Sequence, residues 1–205
     1  SIEPLLSDMF SVIKDDTYMS ILPTATQYAR NSLFAGLLPA DIKRLHPEWW
    51  TNEDEEGSKN MFEDQLLNEL LKRLGINGRT SYHKVANLAS GRKLLDQFHE
   101  TKGESLTTIV YNFVDMLSHA RTDMEVIKEL ADDEAAYRSL TLTWFEHSTL
   151  KEMLEKMANA NARVIITTDH GTVKVNSDIK VRGDRSTNSN LRYKVGKNLG
   201  YNHKE

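Results

Sequence analysis

The tightest constraint on this chain is a run of six residues, Arg163-Val164-Ile165-Ile166-Thr167-Thr168, which leads directly into Asp169-His170-Gly171. All but the first are β-branched. Such side chains lose rotamer freedom in a helix and pack well on a pleated surface. An unbroken run of them predicts a central strand, buried by helices on both faces. Leu106 to Asn112 predicts a second buried strand, and Thr17 to Leu22 a shorter one closed by Pro23.

Between these runs the apolar residues recur at helical spacing. Ile2 to Ile13, Thr26 to Gly36, Met61 to Leu74, Asp123 to Phe145 and Ser148 to Asn161 predict helices, and Lys84 to Glu100 one or two short ones. Gly36 and Gly75 stand where helices stop, Thr24 or Thr26 where one starts, and Ser148 where its amides need a cap. Thr172 to Val175 with Asp178 to Val181 reads as a small hairpin. Alternating helices and strands predict an α/β fold with a mainly parallel sheet covered by helices on both faces. Residues 1–205 read as one domain, with a helical insertion at about 41–105 that contains the Trp49-Trp50 pair. That pair reads as packing of the insertion or as a stacking surface for a nucleobase.

Composition bears on chemistry rather than fold. The chain has no cysteine, so any bound metal must be held by imidazoles and oxygen ligands. No run of 18 apolar residues is present, and the N-terminus lacks the layout of a signal peptide, so no membrane insertion and a cytoplasmic location are expected. The net charge of −4 argues against a nucleic-acid binder held by bulk electrostatics. The charge is uneven: Glu53 to Glu56 is acidic, and Lys174 to Lys204 is basic. That basic stretch could face a phosphate or simply be a solvated loop.

Three motifs follow predicted strands. Asp169-His170-Gly171 places a carboxylate and an imidazole at the end of the run over 163–168, where ligands gather in open α/β sheets. Asp115 and His119, four residues apart, share one face of a helical turn after Leu106 to Asn112. Thr26 lies at the start of a helix, among amides that favour an anion or an alkoxide. Alone, each reads more readily as a turn, a surface pair or a cap. Together they offer a hydroxyl, two carboxylates and two imidazoles, a set suited to two metal ions roughly 4 Å apart. His46, His83, His99 and His147 read as surface or core residues.

Pro23-Thr24-Ala25-Thr26, followed by Gly36-Leu37-Leu38-Pro39, resembles the nucleophile motif of the alkaline phosphatase superfamily, especially its phosphodiesterases. Asp115-x-x-x-His119 and Asp169-His170-Gly171 resemble its two later metal motifs, in the same order. More narrowly, Ile21 to Gly36 and the tail from Gly183 to Tyr193 resemble the PglZ domain, in particular that of PorX-type response regulators. The resemblance implies a zinc-dependent phosphodiesterase acting on a nucleotide or oligonucleotide. Thr26 is the implied nucleophile, passing through a phospho-threonine, and a ligand of one Zn2+ with Asp169 and His170. Asp115 and His119 would hold the other. Arg30, Arg182, Arg185 and Arg192 are implied as candidates to hold phosphate oxygens.

The superfamily also has an Asp before the first motif and a late His. Both are expected outside this segment, which reads as a fragment cut at both ends with incomplete zinc sites. His203 is a substitute whose Tyr-Asn-His-Lys context does not match. The resemblance further implies a receiver domain in the same full-length chain, a sensor kinase partner and a link to type IX protein secretion, and it leaves room for a homodimer. Two other readings compete: a metal-binding signalling or interaction domain without catalysis, and a phosphomonoesterase.

Overall fold

The computed structural model describes residues 2–201 apart from Glu53, Asp54, Glu56, Val173, Lys174, Asn176, Ser186, Ser189 and Leu191, and describes the backbone alone at Ser118, Arg121, Thr122, Asp123 and Lys128. Along the chain run helices α1 (Glu3–Ser7), α2 (Thr26–Ala35), α3 (Pro39–Leu45) and α4 (Glu63–Arg73). Strand β1 (Thr80–Val85), α5 (Leu88–Gln97) and β2 (Leu106–Tyr111) follow, then α6 (Phe113–Asp123), α7 (Glu125–Leu130), α8 (Glu134–Glu146) and α9 (Thr149–Asn159). The short strands β3 (Val181–Arg182) and β4 (Gly200–Tyr201) come last. The larger sheet is parallel, and the architecture is α/β. The chain divides into two compact units, each drawn from two stretches of sequence: Ser1–Asp16 with Asn77–Ile166, and Thr17–Ile76 with Thr167–Glu205.

The first unit is organised by a β1–α5–β2 crossover, in which Thr80 pairs with Leu106 and Val85 with Tyr111. Asn87 starts α5 with a capping box: its side chain accepts the Ser90 amide while the Ser90 hydroxyl accepts the Asn87 amide. Ser148 caps α9 by accepting the Lys151 amide, as expected. Helix α5 packs on α9, where Gly91 is needed because a Cβ would collide with the Thr149 hydroxyl. Val85, Leu94, Leu95 and Met153 form the core, with Ile109 and Tyr111 against it. Burial pushes the Tyr111 phenol above its ordinary pKa, against the pull of its hydrogen bond with Thr149. Before β2, Glu104 accepts hydrogen bonds from Ser81 (2.5 Å) and Thr107 (2.6 Å) and pairs with Arg79 at 3.6 Å. Burial alone would raise the Glu104 pKa, but these hydrogen bonds, Arg79 and His83 outweigh it and hold the carboxyl below the ordinary value.

In the second unit α2, α3 and α4 enclose Ala35, Ile42 and Leu66, with Phe34, Leu37, Trp49 and Trp50 packed around them. Gly36 ends α2 in the left-handed conformation (φ 57°), which favours glycine, and a Cβ there would stand 2.8 Å from a Leu70 methyl. Arg30 of α2 pairs with Glu63 at the start of α4, with side chains 12% and 2% exposed. At the far end of the chain β3 and β4 pair antiparallel.

The structure departs from sequence expectation in several places. No strand forms over residues 163–168 or 17–22. Ile165 is 83% exposed and Met19 95%, and neither run has a ladder partner among the described residues. Strand propensity is a preference for a pleated, half-buried surface, and without a neighbouring backbone it creates none. Conversely β1, which carries Ser81, His83 and Lys84 and was not expected, is stabilised by pairing with β2. The helix expected over residues 2–13 stops after Ser7, and the one expected over 123–145 is broken into α7 and α8, with α6 a separate helix that ends at Asp123. Residue 25, not Thr24 or Thr26, is the cap of α2, and it has no side-chain hydrogen bond. The expected hairpin at 172–181 falls partly outside the described residues; Val181 pairs instead with Tyr201.

Candidate functional site

Thr26 occupies the first helical position of α2, following the cis Leu22–Pro23 peptide. Its carbonyl is held by the Asn60 side chain at 3.1 Å. Its hydroxyl points at another part of the chain, with Oγ1 3.2 Å from Nε2 of His170.

The segment that presents His170 is anchored from several directions. The Tyr18 hydroxyl donates to the Thr168 carbonyl, and Ser20 Oγ donates to the Asp169 carbonyl at 2.5 Å. Thr168 Oγ1 donates to the His170 carbonyl at 2.8 Å. The His170 ring lies 3.2 Å through Nδ1 from the Gly171 carbonyl. A carbonyl only accepts, so Nδ1 carries a proton, and in the neutral ring the lone pair is on Nε2, toward Thr26. Gly171 stays outside the left-handed region with open space where a Cβ would stand, so the turn itself does not demand glycine.

Asp169 completes the group. Its Oδ2 lies 3.8 Å from His170 Nε2, and the two side chains are 17% and 9% exposed. That oxygen is buried and has no hydrogen-bond partner. An unsatisfied buried acceptor costs about 1–3 kcal/mol, and more when it is charged. A hydroxyl oxygen, an imidazole lone pair and an orphaned carboxylate oxygen turned to one place form a donor set that fits a cation such as zinc. Among the described residues no three His, Cys, Asp or Glu side chains gather, so the set depends on the Thr26 oxygen as its third member.

Asp115 and His119 lie in the other unit, on the first turns of α6. Oδ1 and Nε2 are 3.7 Å apart, with both side chains exposed. The expected one-face pairing at i, i+4 is therefore present.

The expected phosphate-holding arginines have distinct surroundings. Arg30 is turned to Glu63. Arg192 donates to the Thr24 carbonyl (3.0 Å), the Thr24 hydroxyl (3.1 Å) and the Gly171 carbonyl (2.9 Å). It thereby ties the turn before Thr26 to the turn after His170. Arg185 is exposed, without a side-chain hydrogen bond among the described residues, and Arg182 lies in β3. His203, Lys174 and Lys204 lie outside the described residues, as does most of the acidic block at 53–56. Sequence reasoning missed Ser20 and Tyr18 as anchors of the 168–169 backbone. No motif marks them, because they act through carbonyls some 150 residues away.

A family model described as the BREX system PglZ alkaline phosphatase-like domain matches residues 2–205. The chain belongs to the PglZ family. This places it in an alkaline phosphatase-like, phosphoesterase-type superfamily of hydrolases, and the α/β architecture agrees. No curated protein matches the chain. In this PglZ domain no helix among the described residues is long and apolar enough to cross a membrane.

Proposed function

We propose that this PglZ domain is a zinc-dependent phosphodiesterase that cleaves a nucleotide or oligonucleotide with Thr26 as nucleophile. The observation that carries the reading is the Thr26 hydroxyl 3.2 Å from a nearly buried, oriented imidazole, beside an unsatisfied carboxylate oxygen of Asp169. Thr26, Asp169 and His170 would hold one zinc ion, and Asp115 and His119 another. Bound zinc supplies Lewis-acid stabilisation of phosphoryl oxygens and lowers the pKa of coordinated hydroxyls.

The residues have separable tasks. Thr26 Oγ1 attacks phosphorus in line, forming an O–P bond as the bond to the leaving alkoxide breaks. His170 Nε2, with its other nitrogen committed to the Gly171 carbonyl, would be the ring's ligand to the ion shared with Thr26, and the hydroxyl proton leaves to solvent as that ion binds. The first amides of α2 point toward the incoming phosphate. Water then cleaves the phospho-threonine and restores Thr26. Service as the output domain of a response regulator linked to protein secretion is proposed on the resemblance of residues 21–36 and 183–193 to PorX-type domains.

Hydrolysis of bis-p-nitrophenyl phosphate in the presence of zinc tests the reading, with zinc content measured alongside. Thr26→Ala should lower turnover by more than about 10³-fold, and Asp169→Asn and His170→Ala should lose bound zinc. Undiminished turnover by Thr26→Ala refutes the nucleophile. Zinc bound without turnover on any diester favours a metal-binding signalling domain instead.

A further inference from the structure

Against α2 and α3 the second unit holds a cavity of about 600 Å³, lined by Gln27, Tyr28, Pro39, Ala40, Lys43, Trp50 and Asn52. Its size falls in the range of small-molecule sites. The two aromatic walls, Tyr28 and Trp50, have ring centroids 5.8 Å apart and planes inclined at 43°, so neither closes the face of the other in a parallel stack. The neighbouring Trp49 differs: it stacks on His46 at 4.3 Å with planes only 8° apart, and its face is taken.

The polar groups at this cavity are both donors and acceptors. Gln27, itself buried, donates through Nε2 to the Thr51 carbonyl at 2.7 Å, and among the described residues nothing donates to its Oε1. The Trp50 indole N–H likewise has no hydrogen-bond partner among the described residues. Lys43 Nζ donates to Asn52 Oδ1 at 2.8 Å, which leaves two of its three donors for another acceptor.

We propose that this cavity is the nucleobase subsite of the enzyme. Flat π-faces favour a planar heteroaromatic ring over a sugar or an acyl chain. A free acceptor together with free donors matches the mixed edge of a base, which an apolar ring lacks. Gln27 and Tyr28 directly follow Thr26 in α2, so along the helix axis the cavity lies within about one turn, roughly 5.4 Å, of the Thr26 residue. The assignment rests on the phosphoesterase reading for what happens to a nucleotide's phosphate, but not for binding of the base.

Binding therefore tests it without catalysis. Adenosine and uridine are titrated into the protein, with inorganic phosphate and ribose 5-phosphate as controls, and followed by tryptophan fluorescence and calorimetry. At least one nucleoside should bind saturably to the wild type and to Thr26→Ala alike. Trp50→Leu should weaken it about tenfold or more, because one stacking face is lost. Lys43→Met, on an exposed side chain, should weaken it severalfold, and it decides the question if Trp50→Leu does not fold. Absence of saturable nucleoside binding by the wild type overturns the proposal, as does affinity unchanged in every variant that folds. Normal nucleoside binding without turnover counts against the phosphoesterase reading alone.

Discussion

Replacing Arg30 by Met probes the ion pair that joins α2 to α4. Arg30 sits one helical turn after Thr26 and is 12% exposed, and its partner Glu63 is 2% exposed. Removing one member of a buried pair leaves the other charge desolvated, at a cost of about 3–5 kcal/mol. Both residues have further interactions besides this pair, so the lower end, about 3 kcal/mol, is expected. For a chain of this length each kcal/mol moves the melting temperature by about 2–4 °C, which gives a loss of about 6–12 °C. Removing both charges in Arg30→Met/Glu63→Met should recover most of that loss, because no buried charge is then left alone. Urea denaturation of the wild type, both single variants and the double variant reads the coupling directly. A cost below about 1 kcal/mol for Arg30→Met, or a double variant as unstable as the two singles summed, would refute the reasoning. The double variant also shows what Arg30 does at the site. With its guanidinium committed to Glu63, KM for a diester should not change once stability is restored.

Arg192 should behave as a positioning residue. Arg192→Ala loses its contacts with Thr24 and Gly171 and should lower kcat with little change in KM, and Arg192→Lys should restore only part, because lysine lacks the fork that spans both carbonyls; a rise in KM with kcat unchanged would place Arg192 on substrate instead. Glu104 should make stability fall in acid. Its folded pKa is depressed, so its contribution is fully present above 4.5, the ordinary carboxyl value, and is lost as pH falls through the lower folded value. Glu104→Gln should flatten that part of the stability profile, and an unchanged acid limb would count against the Ser81–Thr107–Arg79 network.

The candidate site was visible in the sequence as residue types and could not be seen there as a constellation. Thr26, Asp169 and His170 stand out because a hydroxyl at a helix start and an Asp-His-Gly turn are local patterns. That Thr26 meets His170 across 144 residues is a fact of tertiary structure. So is the orphaned Oδ2 of Asp169, since burial is set by what packs around it. Arginines near a presumed phosphate site read alike in sequence. Only the folded chain shows one facing Glu63 and another facing two carbonyls.

What the sequence determined by itself is whatever is held by contacts three or four residues apart. The stop of α2 at Gly36, the end of α4 before Gly75, the Ser148 cap of α9 and the i, i+4 meeting of Asp115 with His119 all follow from helical periodicity and local capping. Strands obey a different rule, because the partner of every ladder hydrogen bond belongs to another segment. The largely polar residues 80–85 become β1 because β2 lies alongside, whereas the β-branched run over 163–168 has no ladder partner among the described residues and forms no strand. Helices could be read from the chain because their partners lie within it a turn away. The sheet, the buried Arg30–Glu63 pair and the Thr26–Asp169–His170 group required the tertiary fold, which alone brings distant backbones and charges together.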